Sequence, residues 1–119
     1  MKIFQFGKDH AKWISRYESD FYMSRILEQN EGVHVGCMFL DAGGKIGYHE
    51  AVVPQLLFVI QGEGSVIGSE KVKVQLKAGQ AAFWKKGEGH ETVTETGMTA
   101  IVIESEGLDP EQIMAKWVE

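Results

Sequence analysis

The chain has 119 residues, 44% apolar and 24% charged, with 17 acidic against 12 basic side chains and a formal charge of −5. That length suits one domain with a sizeable core, and the composition is that of an ordinary globular protein. No lysine/arginine run is present, so a nucleic-acid surface has no electrostatic support, and the longest apolar stretch is too short to cross a bilayer.

The N-terminal stretch MKIFQFGKDH lacks a signal-peptide core. A single cysteine, Cys37, rules out an internal disulfide, fits a reducing compartment, and reads as a small buried apolar residue in a strand. A cytoplasmic protein is expected, without nucleic-acid or membrane partners.

Fourteen glycines and two prolines punctuate short β-branched and aromatic runs, the pattern of many short strands joined by tight turns. In chain order, Ile3 to Phe6 reads as a strand, and Asp9 to Ile14 is mixed, with a helical turn possible. Phe21 to Leu27 reads as a strand, Gln29-Asn30-Glu31-Gly32 as a hairpin turn, and Val33 to Leu40 as the next strand. Tyr48 to Val53 and Leu56 to Ile60 read as strands broken at Pro54, and Gly62-Glu63-Gly64 as a turn. Ser65 to Ile67 and Lys71 to Leu76 read as a hairpin around Gly68-Ser69-Glu70, with Val72, Val74 and Leu76 inward. Ala81 to Trp84, Glu91 to Thr94 and Met98 to Glu104 complete the strands. Only the tail reads as helix: Asp109 as N-cap, Pro110 in the first turn, and Ile113, Met114 and Trp117 as an apolar stripe.

An antiparallel all-β chain of this size protects its edges by closing a barrel or a jelly roll. Leu56 to Ile60 does not alternate, so both faces of that strand should be buried. One face lines the barrel. The other needs a cover, either the C-terminal helix or a second subunit, and a homodimer is expected.

Two stretches carry the chemistry. Gly43 to Gly64 (GGKIGYHEAVVPQLLFVIQGEG) holds His49, and Gly79 to Thr94 (GQAAFWKKGEGHETVT) holds His90. Each histidine follows a glycine turn at the start of a strand, so two strands can aim imidazoles into one cavity.

These stretches resemble the two motifs of the small single-domain cupins (RmlC-like jelly rolls). The first motif is glycine, five residues, His-x-His, three or four residues, Glu, six residues, glycine. The matching positions here are Gly43, His49, Ala51, Gln55 and Gly62. The second is glycine, five residues, proline, one residue, glycine, two residues, His, three residues, Asn. Gly79, Lys85, Gly87, His90 and Thr94 stand at those positions. Spacing matches throughout, and the strand pattern extends the resemblance over roughly residues 21–105. It implies a double-stranded β-helix with an N-terminal arm (1–20), a barrel core (about 21–105) and a short C-terminal α-helix (109–118), in one cupin domain.

The metal-binding members of that family use three histidines and a glutamate. Two of the four change here, to Ala51 and Gln55, which makes the motif degenerate. The resemblance then implies a metal set of His49, Gln55 and His90, holding a divalent transition metal (Zn, Ni, Fe, Mn or Cu) with reduced affinity. An amide is a poorer donor than a carboxylate, and nothing compensates the ion's charge. By period two, His49, Ala51, Val53 and Gln55 share one face, as do His90, Thr92 and Thr94. Glu50 and Glu91 fall on the opposite faces.

The first functional expectation is a barrel that binds a small molecule through His49, Gln55, Trp84, His90 and Thr92, with or without that metal. Packing is the commoner role for Trp84 and for Tyr48. His34 is a candidate polar lining residue, His10 a surface residue, and Met23, Met38 and Met98 core fillers. The alternative is an enzyme, either a metal-dependent dioxygenase or isomerase, or a metal-free one like the cupin sugar epimerases and ketoisomerases. The metal-free form needs a histidine base paired with His90 or Tyr48, and no carboxylate is evident to orient either histidine.

Overall fold

The computed structural model describes residues 1–27 and 31–116. Short β-rich runs between glycine turns give eleven strands there. They are β1 (Lys2–Gln5), β2 (Lys12–Ile14), β3 (Phe21–Met23), β4 (His34–Leu40), β5 (Lys45–Glu50), β6 (Gln55–Ile67), β7 (Val74–Lys77), β8 (Gln80–Trp84), β9 (Gly89–Val93), β10 (Met98–Glu104) and β11 (Ala115–Lys116). One sheet runs β11-β1-β8-β6-β10-β4. The far half of β6 leaves it to pair with β7 on one side and β9 on the other, and β5 lies beyond β9. Every pairing is antiparallel, and the two sheets face each other as a jelly roll. The pair β2–β3 forms a separate small ribbon.

β6 is the element that joins the sheets. Gly62 and Gly64 do not end it in a turn, as the sequence suggested. The strand continues through them and bends. Gly62 has φ +80°, and a side chain there would run into the carbonyl of Gly97, so only glycine lets the chain cross β10 at this point. The pairing with β10 slips at the same place, between Thr99 and Ala100.

Both faces of the first half of β6 are buried, as its non-alternating run requires. Leu57 and Val59 point between the sheets with Val66, Leu76, Ala82, Trp84, Met98 and Ala100. Leu56 and Phe58 point outward into a second cluster with Phe4, Ile103, Leu108 and Met114. Each such side chain contributes about 1.5–3 kcal/mol of burial. The cover on the outer face is therefore the chain's own tail.

That tail is not an α-helix. Pro110–Gln112 make one 3-10 turn with Asp109 at its head, and Ala115–Lys116 then pair with β1. Pro110 starts a turn well, but β1 presents an unpaired edge that takes up the next residues as a strand. Trp117 lies outside the described residues, as do Gln29 and Asn30 of the expected hairpin turn.

Other differences are local. Lys8–His10 form a 3-10 turn before β2, and β3 ends at Met23 rather than Leu27. Val72 is exposed and precedes β7, because Lys71 takes φ +60° and delays the strand. Cys37 lies in β4 as expected, but its side chain is exposed, because β4 is the last strand of its sheet and its outer face has no cover. His10 is at the surface, Met98 is buried, and Met38 packs half-buried on the inner core. Among the described residues no helix is long and apolar enough to cross a membrane.

Candidate functional site

β5 and β9 bring the two motif histidines together. They are direct cross-strand partners, with ring centroids 4.3 Å apart and planes tilted by 55°. Below them, the indole of Trp84 stacks on the His90 ring at 4.5 Å and 25°. Trp84 is fully buried, and its N–H donates to the carbonyl of Ile67 at 3.1 Å. Its contribution is a flat apolar platform under His90, since its only polar group is already engaged.

The tautomers follow from simple chemistry. His49 Nδ1 lies 2.7 Å from the carbonyl of Gly47, and His90 Nδ1 lies 3.3 Å from the carbonyl of Glu88. A carbonyl only accepts, so each Nδ1 carries the proton and each neutral ring offers its Nε2 lone pair. For His49 that lone pair is near solvent. For His90, 1% exposed, Nε2 is buried and meets no hydrogen-bond partner. An acceptor left so costs about 1–3 kcal/mol, which makes it the feature of the site that asks for a partner. Burial, more than any neighbour, also holds the His90 pKa below the usual imidazole range, and the charge of His49 adds to it. The Glu88 carbonyl, Glu88 carboxylate and Glu104 act in the opposite direction.

Gln55 reaches this region from the facing sheet. β5 ends at Glu50, and after the loop through Pro54, Gln55 opens β6 directly opposite Trp84 on β8. Ala51 is buried in the connecting loop, exchanging backbone hydrogen bonds with Glu88 and Gly87. Thr92, also buried, follows His90 on the same face of β9. Thr94 serves the fold instead. Its hydroxyl donates to the Glu63 carbonyl and accepts from the Gly97 N–H, closing the turn before β10.

Two assignments change. Tyr48 lies against Gly89 on the opposite face of the strand pair from the histidines, with Lys71 4.8 Å above its ring, so it is no acid or base partner for them. The carboxylate that sequence reasoning missed is Glu104. It is the cross-strand partner of Gln55 on one side and of His34 on the other, and its charge reaches His90. Nothing in β10 alone signals it, since Ala100 and Val102 on its face are as apolar as Ile101 and Ile103 on the other, and only the register with Gln55 and His34 turns it inward.

The positions of the metal motif hold His49, His90 and Gln55 here, two imidazoles and an amide. They do not make a closed set: among the described residues, no group of three His, Cys, Asp or Glu side chains is placed to hold a metal. A hollow of about 460 Å³ between Met1, Lys2, Ser69, Phe83 and Glu88 does not include the histidines. Three of its cations are already paired, Met1 with Glu88, Lys2 with Glu111 and Lys86 with Glu106.

No protein-family model matches the chain, and no curated protein sequence does either. Solved structures do. An RmlC-like cupin from Shewanella frigidimarina superposes with a TM-score of 0.60 at 25% identity, covering 68% of this chain and 72% of that one. KdgF from a Halomonas species gives 0.59 at 23% identity, over 71% of this chain and 78% of its own. The DMSP lyase DddQ from Ruegeria pomeroyi gives 0.60 at 20% identity, over 67% of this chain but 41% of its own. The last two speak to the fold alone.

Proposed function

Because the chain folds as a small RmlC-like cupin, we propose that it binds a small molecule at the barrel mouth, against His49 and His90. The observation that carries this reading is the buried, unpartnered Nε2 of His90. A ligand N–H or O–H donated to it would satisfy an acceptor that the protein leaves open. His49 would supply a second acceptor, Gln55 an adaptable amide, Trp84 the apolar platform and Thr92 a hydroxyl farther along the same face. A divalent ion would sit weakly on His49, His90 and Gln55, and no step of this reading is routed through one.

A catalytic version needs a second proton-transfer group beside His90. Tyr48 is on the wrong face, which leaves Glu104, and one structural neighbour carries a lyase's name. The binding reading requires less. Its test is a double variant, His49→Ala with His90→Ala, challenged with a metabolite panel by thermal shift. Loss of every ligand-induced shift, in a protein that still unfolds cooperatively with its melting point lowered by no more than the cavity at His90 costs, is the expected result. Unchanged ligand shifts would show that the histidines serve only the core.

We also propose a homodimer through β4. Val35 and Phe39 are 64% and 76% exposed, and Cys37 lies between them on the same outer face. The strand carries no acidic or basic side chain except His34, so two chains of charge −5 can meet there without opposing carboxylates. An exposed thiol at that position suits the cytoplasm.

A further inference from the structure

The pairing of β4, β10, β6 and β8 places four residues in one row across the sheet: His34, Glu104, Gln55 and Trp84. Direct cross-strand partners point to the same face. Two residues deeper, the corresponding row is Gly36, Val102, Leu57 and Ala82, of which Leu57 and Ala82 belong to the inner core. Gly36 adds no side chain to that floor, and a Cβ built there would lie 3.5 Å from Val102. The first row therefore faces the space between the sheets, at its open end and above an apolar floor. His90 closes the row by stacking on Trp84, with His49 beside it.

The chemistry of this belt is one-sided. It contains no lysine or arginine. The Nε2 of His90 is an acceptor without a donor. Among the described residues, the Glu104 carboxylate has no hydrogen-bond or ion-pair partner, although its charge is felt at His90. A carboxylate and an imidazole lone pair that both lack donors repel an anion and attract a group that gives protons to hydrogen bonds.

We infer that the ligand is a small amphipathic molecule whose polar end is an uncharged or cationic hydrogen-bond donor, held between Glu104 and His90, and that anionic ligands are excluded. This rests on the proposed binding site at His49 and His90 and names the ligand class for it. Glu104 selects by charge, and Gln55 adapts its amide to the remaining group. The apolar body lies on Val102, which is half-buried, whereas Leu57 and Ala82 beside it are fully covered.

Three probes with one carbon skeleton separate the cases: isobutylamine, isobutanol and isobutyrate, each titrated at pH 7.5 in chelated buffer and followed by the NMR signals of the Trp84 indole and the His90 ring. Expected is binding of the amine and the alcohol and none of isobutyrate. A preference for the amine identifies an ammonium ligand, and equal binding a hydroxyl ligand. Glu104→Gln, near isosteric at a half-exposed position, should weaken the amine about tenfold, the effect of losing one charge-assisted hydrogen bond, and admit isobutyrate. Isobutyrate binding wild type as well as the amine does would overturn the inference, as would failure of all three or a Glu104→Gln protein with unchanged preferences. The His49→Ala, His90→Ala double variant keeps the two readings apart: binding that survives it rejects the site itself, whereas binding lost there but indifferent to Glu104→Gln rejects only the ligand class.

Discussion

His49 and His90 are cross-strand neighbours with the same tautomer, yet they sit in different media. His49 stands on β5 at the rim, exposed, with its Nδ1 tied to the carbonyl of the residue two before it. His90 stands on β9, buried on the face of Trp84, with its Nε2 unpaired. The backbone makes them equivalent, and the facing sheet makes them different, because β8 brings Trp84 under one ring only. A polar side chain held in an apolar socket is a defined acceptor, whereas one at the rim can adjust to whichever ligand arrives. The pair thus divides into a fixed anchor and an adaptable partner.

The most drastic way to break this contrast is to remove the socket. Trp84→Ala takes out a fully buried indole that belongs to the inner core and carries a hydrogen bond to Ile67. A loss of about 3–5 kcal/mol is expected, measured by urea denaturation, with His90 becoming solvated like His49 in any fraction that stays folded. A variant that keeps wild-type stability would mean the stacked geometry is not the one in solution. Next in size, His90→Ala should cost about 1–2 kcal/mol, the cavity outweighing relief of the unpaired nitrogen, and His49→Ala should stay within about 0.5 kcal/mol. Similar losses at the two positions would erase the distinction between anchor and rim. On the outer surface, Phe39→Lys should leave the melting point nearly unchanged and convert the proposed dimer to monomer by light scattering. A wild-type protein that runs as a monomer rejects that interface outright.

Much of this is legible in the sequence alone. Glycine spacing around His49 and His90 places them on two strands that meet, although His49 stands near the end of β5 and not at a strand start, as antiparallel pairing with the start of β9 requires. The unbroken run from Leu56 marks a strand buried on two sides. The features that escape it depend on long-range pairing. Counting along one strand puts Gln55 on the His49 face, but Pro54 hands it to the other sheet, where it meets the site from the opposite wall. Glu104 cannot be oriented from β10 alone, since Ile101 and Ile103 on one face and Ala100 and Val102 on the other are all apolar. Only its register with Gln55 and His34 decides which face is inward. The C-terminal segment misleads for a related reason: Pro110 after Asp109 favours a helical start, but the free edge of β1 draws the residues after that turn into a strand.

The smallest expected effect is also the one that reads the two histidines separately. Burial lowers the folded-state pKa of His90, with His49's charge adding to it, and Glu88 and Glu104 only partly offset these effects. The unfolded chain therefore binds this proton more readily than the fold does. Above the ordinary imidazole pKa of about 6.5 both states are neutral at this position and its contribution to stability is fully present. As the pH falls from there toward the lowered folded-state value, the unfolded state takes up the proton first and stability is lost. Urea midpoints at pH 8 and pH 5.5, in buffer free of divalent ions, should therefore drop on acidification, above the range where the carboxylates titrate. His90→Gln should flatten that drop, because the amide has no proton to gain, whereas His49→Gln should leave most of it in place. A drop of the same size in His90→Gln would assign the acid sensitivity elsewhere and remove the ground for treating the two rings as chemically distinct.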